Sequence, residues 1–287
     1  MSQDKLHRYL FEQADVRGEI VQLQDSYQQM LAGKPYPKQV ATLMGEMLAA
    51  TSLLTAILKF EGEIAVQLQG NGPISLVAVN GNHNQQLRAI ARWEGEPQQQ
   101  DLRELIGTGQ LVITITPTDG ERYQGIVGLS EDSVAGCLEQ YFAQSEQLKT
   151  RLWLHADGVN AAGMLLQVLP QSDKEQDVEF EHLESLTDTV KADELFGLEA
   201  EQVLHRLYHQ EQVRLFDATD VSFKCGCSKQ RSLNALASLH KDELLEIVEE
   251  QGQINIHCDY CGENYRFDRI DLEALWSGSA PQSDQQH

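Results

Sequence analysis

Five cysteines occur in the 287-residue chain, and four of them fall at its C-terminal end. They read Cys225-Gly226-Cys227 and, 30 residues later, Cys258-Asp259-Tyr260-Cys261. Two thiol pairs at this separation form the pattern of a tetrahedral, all-cysteine zinc site. Each pair supplies two sulfurs from one turn or strand, and the chain between them folds back to bring the second pair. The expectation is one Zn²⁺ per chain on Cys225, Cys227, Cys258 and Cys261. Four sulfurs leave no open coordination position, which argues against a zinc hydrolase. A static structural site is the plainer reading of such a set. Against it stands the spacing itself, since Cys-x-Cys is uncommon in plain zinc ribbons and Cys-x-x-Cys is the spacing of redox dithiols. Each close pair can become a disulfide without help from the other. Gly226 is read as a bend within the first pair and Gly262 as the knuckle glycine after the second. Lys224 and Lys229 are read as cations offsetting the thiolate charge.

The elements around the cysteines must position them. Ser232 reads as a helix cap, and Lys241 to Glu250 as a helix ending at Gly252. Ile254 and Ile256 form a strand leading into Cys258, and Tyr265 to Phe267 pairs back. So small a unit depends on its metal, because structural zinc contributes roughly 10–16 kcal/mol to folding. The fifth cysteine belongs elsewhere. Val134, Cys137, Leu138, Tyr141 and Phe142 fall on one face of a helix starting near Ser133, so Cys137 is a core residue.

Upstream, the pattern is that of an α/β or α+β domain over 1–170. Residues 1–60 read as two helical segments separated by Gly33-Lys34-Pro35-Tyr36-Pro37. The second, about Gln39 to Lys59, is apolar nearly all round, as a deeply buried helix is. Ile64 to Leu68 and Ile74 to Val79 read as strands joined through Asn71-Gly72-Pro73. Gly70-Asn71-Gly72 is taken as a turn, because it lacks the spacing and following helix of a phosphate loop. Leu111 to Thr116 and Tyr123 to Leu129 form a hairpin across Asp119-Gly120. Trp153 to Leu154 and Met164 to Leu169 are further apolar segments, and Pro170 closes the domain.

Charge marks the next boundary. The chain carries net −22, and residues 171–220 alone hold 14 acidic against 4 basic side chains, net −10. Short amphipathic pieces lie in this stretch: Leu183, Leu186 and Val190; Leu195, Phe196 and Leu198; Val203, Leu204, Leu207 and Tyr208. Asp188, Asp193 and Glu194 are placed as helix-start carboxylates. Thin apolar faces with dense like charge make helices that are marginal alone and need a partner. The resulting division is 1–170 core domain, 171–220 helical linker and 221–287 zinc domain. The overall acidity disfavours nucleic acid and anionic membrane surfaces as partners. The 12 uncharged residues from Met47 to Leu58 are too few for a span of about 20. No basic start and apolar core open the sequence, so a cytoplasmic location is expected, where thiols stay reduced. A nucleic-acid-binding zinc ribbon would need more than the 6 Lys and Arg after residue 220. A thiol oxidoreductase would place its Cys-x-x-Cys at a helix start rather than after a strand. No Ser/His/Asp or paired-carboxylate arrangement stands out, so no enzyme is expected.

The sequence resembles the redox-regulated heat-shock chaperone family. The carrying residues are Cys225-Gly226-Cys227-Ser228, Cys258-Asp259-Tyr260-Cys261-Gly262 and Tyr265-Arg266-Phe267. Gly70-Asn71-Gly72-Pro73, Gly107-Thr108-Gly109 to Gly128-Leu129, Ser133 to Gln147, Ala162-Gly163-Met164 and Leu169-Pro170 match in the family's order. The resemblance implies an ATP-independent holdase for unfolded client proteins, inactive when reduced and zinc-bound. It further implies that oxidation, usually with heat, expels zinc, forms two disulfides, unfolds the zinc domain and linker, and yields a homodimer. Composition alone shows none of this. As to which sulfurs pair, a tetrahedral site holds all four equally close, so the choice falls after metal loss. Loop closure then favours near neighbours, giving Cys258–Cys261 and Cys225–Cys227, the latter in a tighter ring and easier to reduce.

Overall fold

The computed structural model describes residues 4–58, 61–98, 101–169 and 177–277. The chain divides into two compact units, Met1–Lys224 and Cys225–His287. In the first unit, β1 (Lys5–Phe11) and β2 (Val16–Leu23) form a hairpin, followed by α1 (Asp25–Leu31) and the long α2 (Lys38–Ala56). Then come β3 (Gly62–Gly70), β4 (Ile74–Asn82), β5 (Gln86–Trp93), α3 (Leu102–Ile106), β6 (Gly109–Pro117) and β7 (Tyr123–Gly128). Helix α4 (Val134–Tyr141) runs into a π-helical turn and is followed by β8 (Thr150–Ala156) and β9 (Ala161–Val168).

The strands make two sheets. One has the order β12-β5-β4-β3-β6-β7, with β12 (Ser222–Phe223) parallel to β5. The other runs β10-β1-β2-β9-β8, where β10 (Val213–Leu215) and β11 (Thr219–Asp220) both pair with β1. Helix α2 packs on strands of both sheets. That position explains its apolar circumference: Val40, Leu43, Met44, Met47, Leu48 and Leu53 are all buried. Its interior hydroxyls are satisfied locally, with Thr51 and Thr55 donating to carbonyls one turn back and Ser52 to Gln85. Among the described residues no helix is long and apolar enough to cross a membrane.

The first thirty residues correct the expected helix. Val16, Ile20 and Leu23 stand at helical spacing, yet they lie on a strand. Strand β2 is buried on both faces, with Ile20 in one apolar cluster and Val21 in the other. The period-2 signal of a half-exposed strand is therefore absent. Only α1 is helical in that stretch. Strand β5 and helix α3 were also unannounced. The Gly70–Gly72 turn is a packing device: a Cβ on Gly72 would lie 2.5 Å from the Ile106 backbone at the end of α3.

The outer face of the second sheet is covered by the acidic segment, as α5 (Asp177–Thr187), α6 (Ala192–Gly197) and α7 (Ala200–Tyr208). Phe180, Leu183, Leu195, Val203, Leu204 and Tyr208 are buried there with Tyr9, Phe11, Val16, Ile20 and Met164. Each fully buried side chain of this kind contributes about 1.5–3 kcal/mol before ordering costs. Gln22 donates from β2 to the carbonyls of Leu195 and Leu198, at 2.6 and 2.7 Å. Asp193 and Glu194 occupy the first turn of α6 as expected. Asp188 differs: it lies beyond the end of α5 and accepts from the Trp153 indole at 2.9 Å. Pro170 and residues 171–176 lie outside the described residues, as does Lys59.

Candidate metal centre

In the second unit, α8 (Lys229–Leu236), α9 (Lys241–Gln251) and α10 (Arg269–Ser277) pack on a hairpin of β13 (Ile254–His257) and β14 (Asn264–Phe267). Its core is small: Leu233, Leu236, Leu244, Val248, Ile254, Phe267 and Leu272. Helix α8 starts earlier than expected, because Ser228 rather than Ser232 caps it, accepting from the Arg231 amide at 3.1 Å. The capping serine thus directly follows Cys227 and fixes the exit of the chain from the first pair. Gly252 ends α9 in a left-handed conformation, as read from the sequence.

Cys258 and Cys261 lie in the turn between the hairpin strands. The Cys258 amide donates to the Glu263 carbonyl at 2.8 Å, and the Gly262 amide to the Cys258 carbonyl at 2.9 Å. Gly262 has φ 77°, a conformation only glycine adopts freely, so the knuckle reading of this residue holds. Gly226 differs, being absent from the left-handed positions of the described backbone; its carbonyl accepts from Arg231 at 2.6 Å.

The fold gathers four sulfurs: the Sγ atoms of Cys225, Cys227, Cys258 and Cys261 all lie within 4.8 Å of one another. Cys225 and Cys258 are 3.6 Å apart, and Cys227 and Cys261 are 3.4 Å apart. A tetrahedral zinc site with bonds of ~2.3 Å sets such separations at roughly 3.8 Å. The donor set therefore fits one soft, four-coordinate ion. None of the five cysteines is joined in a disulfide. Cys137 is buried in the first unit's core on α4.

Local electrostatics separate the thiols. Burial pushes Cys225 well above the usual thiol range, only partly offset by the Cys227 amide. Burial acts on Cys258 as well, but the Cys261 and Tyr260 amides outweigh it and hold that thiol low. Burial raises Cys261 despite the Glu263 amide. Lys229 is not the free counter-charge expected of it: its ammonium is 3.0 Å from Asp271 and lies over the Phe267 ring. One contact escaped the sequence reading. The Tyr265 hydroxyl is 3.2 Å from Cys227 Sγ. The alternation of Tyr265 and Phe267 on β14 was the available signal, since it puts both on one face of the hairpin.

Fold and site together define a class of protein, in which a large α+β unit precedes a small four-thiol unit able to hold a metal ion. The model of the family described as "Hsp33 protein" matches residues 4–268. The 33 kDa chaperonin of Shewanella sediminis is 60% identical over 287 residues, covering 99% of this chain and 100% of that protein. That of Shewanella loihica is 59% identical, covering all of both chains. The crystal structure of a 33 kDa chaperonin from Thermotoga maritima superposes with a TM-score of 0.84 at 22% identity, covering 96% of this chain and 98% of that one. The chain belongs to the Hsp33 family, a class of chaperones and not of enzymes.

Proposed function

We propose that this chaperone is an ATP-independent holdase switched by oxidation of its four-thiol centre. Gathering of four sulfurs in a unit with so small a core is the observation that carries the reading. Cys225, Cys227, Cys258 and Cys261 would hold Zn²⁺, the sulfur donors favouring it over oxygen-loving cations. The metal would supply folding energy to the second unit and keep its thiolates deprotonated. Oxidation removes the donors, since a disulfide sulfur is a poor ligand. The local pairs Cys225–Cys227 and Cys258–Cys261 are favoured by loop closure, as both are shorter loops than any crossed pair. Loss of the metal then unfolds the second unit.

Residues 171–220 act as the linker of this switch, between a core of 1–170 and the zinc domain of 221–287. Their buried underside explains how they stay folded in the reduced state, and their net charge of −10 explains why that state is marginal. Undocking uncovers an apolar face of the sheet as well as the helices, which offers surface to unfolded clients and to a second copy as a homodimer. The reading places the protein in the cytoplasm. Light scattering of a thermally denaturing client tests it: peroxide-treated protein suppresses aggregation and reduced, metal-loaded protein does not. Equal activity of both forms sinks the switch.

A further inference from the structure

Backbone amides reach Cys258 from Cys261 and Tyr260, Cys261 from Glu263, and Cys225 from Cys227. Those donors are part of the turn geometry and cannot change without refolding it. Cys227 has a side-chain hydroxyl beside it, Tyr265 Oη at 3.2 Å. Tyr265 is held in place by its register opposite Ile256 on β13 and by its packing on the cluster around Phe267. The ring is thus fixed by the hairpin, and the hydroxyl is free to serve the sulfur.

Resting on the zinc-thiolate reading above, we propose that Tyr265 is a positioning residue that restrains Cys227 from reacting with peroxides, and so sets how readily the switch trips. A metal-bound thiolate has no proton to give, so in that state the tyrosine O–H is the donor and the sulfur the acceptor. Such a bond draws electron density from the sulfur, which is the nucleophile in the oxidation. In the first step, the Cys227 sulfur attacks one peroxide oxygen, the O–O bond breaks, and hydroxide leaves. Cys227 becomes a sulfenic acid. In the second step the Cys225 thiolate attacks that sulfur, the S–S bond forms, and a second hydroxide leaves. Two electrons pass from two sulfurs to one peroxide. In the first step the Cys227 sulfur is the nucleophile, and there the hydroxyl acts.

Tyr265→Phe tests this, because it keeps the ring in the hairpin and removes only the donor. The readouts are metal content of the reduced proteins, zinc release into a chromophoric chelator with and without hydrogen peroxide, and isotope-coded alkylation resolving each cysteine by mass spectrometry. The expected result is one zinc in both proteins, roughly threefold to tenfold faster peroxide-driven release from the variant, and acceleration at Cys227 without acceleration at Cys258. Release without peroxide rises less than release with it. An unchanged Cys227 rate overturns the proposal while leaving the metal reading intact. So does a rise of equal size at all four cysteines, or one as large without peroxide, since that marks loosened structure. A reduced wild-type protein without zinc overturns the metal reading and this proposal together, and is seen in the first measurement.

Discussion

Glu19 is a carboxylate fully buried on β2, and burial raises it to about 7 although Arg17 and Arg8 act in the opposite sense. Burial likewise brings Glu46, on α2, to about 7. A carboxyl raised in the folded state binds its proton more tightly there than in the unfolded chain. Its contribution to stability is therefore complete below about pH 4.5, the ordinary carboxyl range, and is lost as pH rises through 7. Glu19→Gln should flatten this slope and stabilise the first unit at pH 8, by about 3 kcal/mol at most. Thermal melts at pH 5 and pH 8 measure it, and an unchanged difference between the two melts refutes the assignment. At the centre itself, serine at any of Cys225, Cys227, Cys258 or Cys261 should abolish stoichiometric zinc, read by elemental analysis. Cys137→Ser should leave zinc intact and destabilise the core, because it puts a hydroxyl in an apolar cluster.

The elements differed in how plainly the sequence announced them. Helix α2 carries an uncharged apolar run; the β6-β7 hairpin, α4, α9 and the β13-β14 hairpin carry periodicities undisturbed by their surroundings, and the four cysteines carry their own spacing. The β1-β2 hairpin did not, since Ile20 and Val21 serve clusters on opposite faces of one strand and blur its period. Nor did Tyr265 announce itself as a partner of Cys227, because that contact is set by the register of a hairpin with a turn six residues long between its strands. For the docked helices, Leu204→Asp on the underside of α7 should free α5–α7 without any oxidant, seen as cleavage within 177–208 under limited proteolysis. In the wild-type chain the same cleavage should follow peroxide and mild heat. Equal cleavage rates in reduced and oxidised protein would dismiss the linker as a moving part.

For the whole molecule, two units with separate cores should melt separately. Chelation of the metal should remove the transition of the second unit, whose described core holds only a handful of large side chains, and leave that of the first near its original temperature. Calorimetry showing a single transition, shifted as one by chelator, would contradict this. Peptide mapping of the oxidised chain should find the two local disulfides; a dominant bridge from the 225–227 peptide to the 258–261 peptide would refute the loop-closure argument. The docked acidic helices carry one further consequence. A segment of net −10 rests on a core of net −7, and among its carboxylates Glu184, Glu181 and Glu194 hold partners in Arg151, Lys149 and Arg206. These few pairs, partly or wholly exposed, offset little of the like charge, so mobile ions relieve more repulsion than attraction, and at physiological ionic strength they already do so beyond about 8 Å. The docked segment is therefore an ionometer: dilution of salt loosens it, concentration tightens it, and the temperature at which it lets go should climb with added potassium chloride.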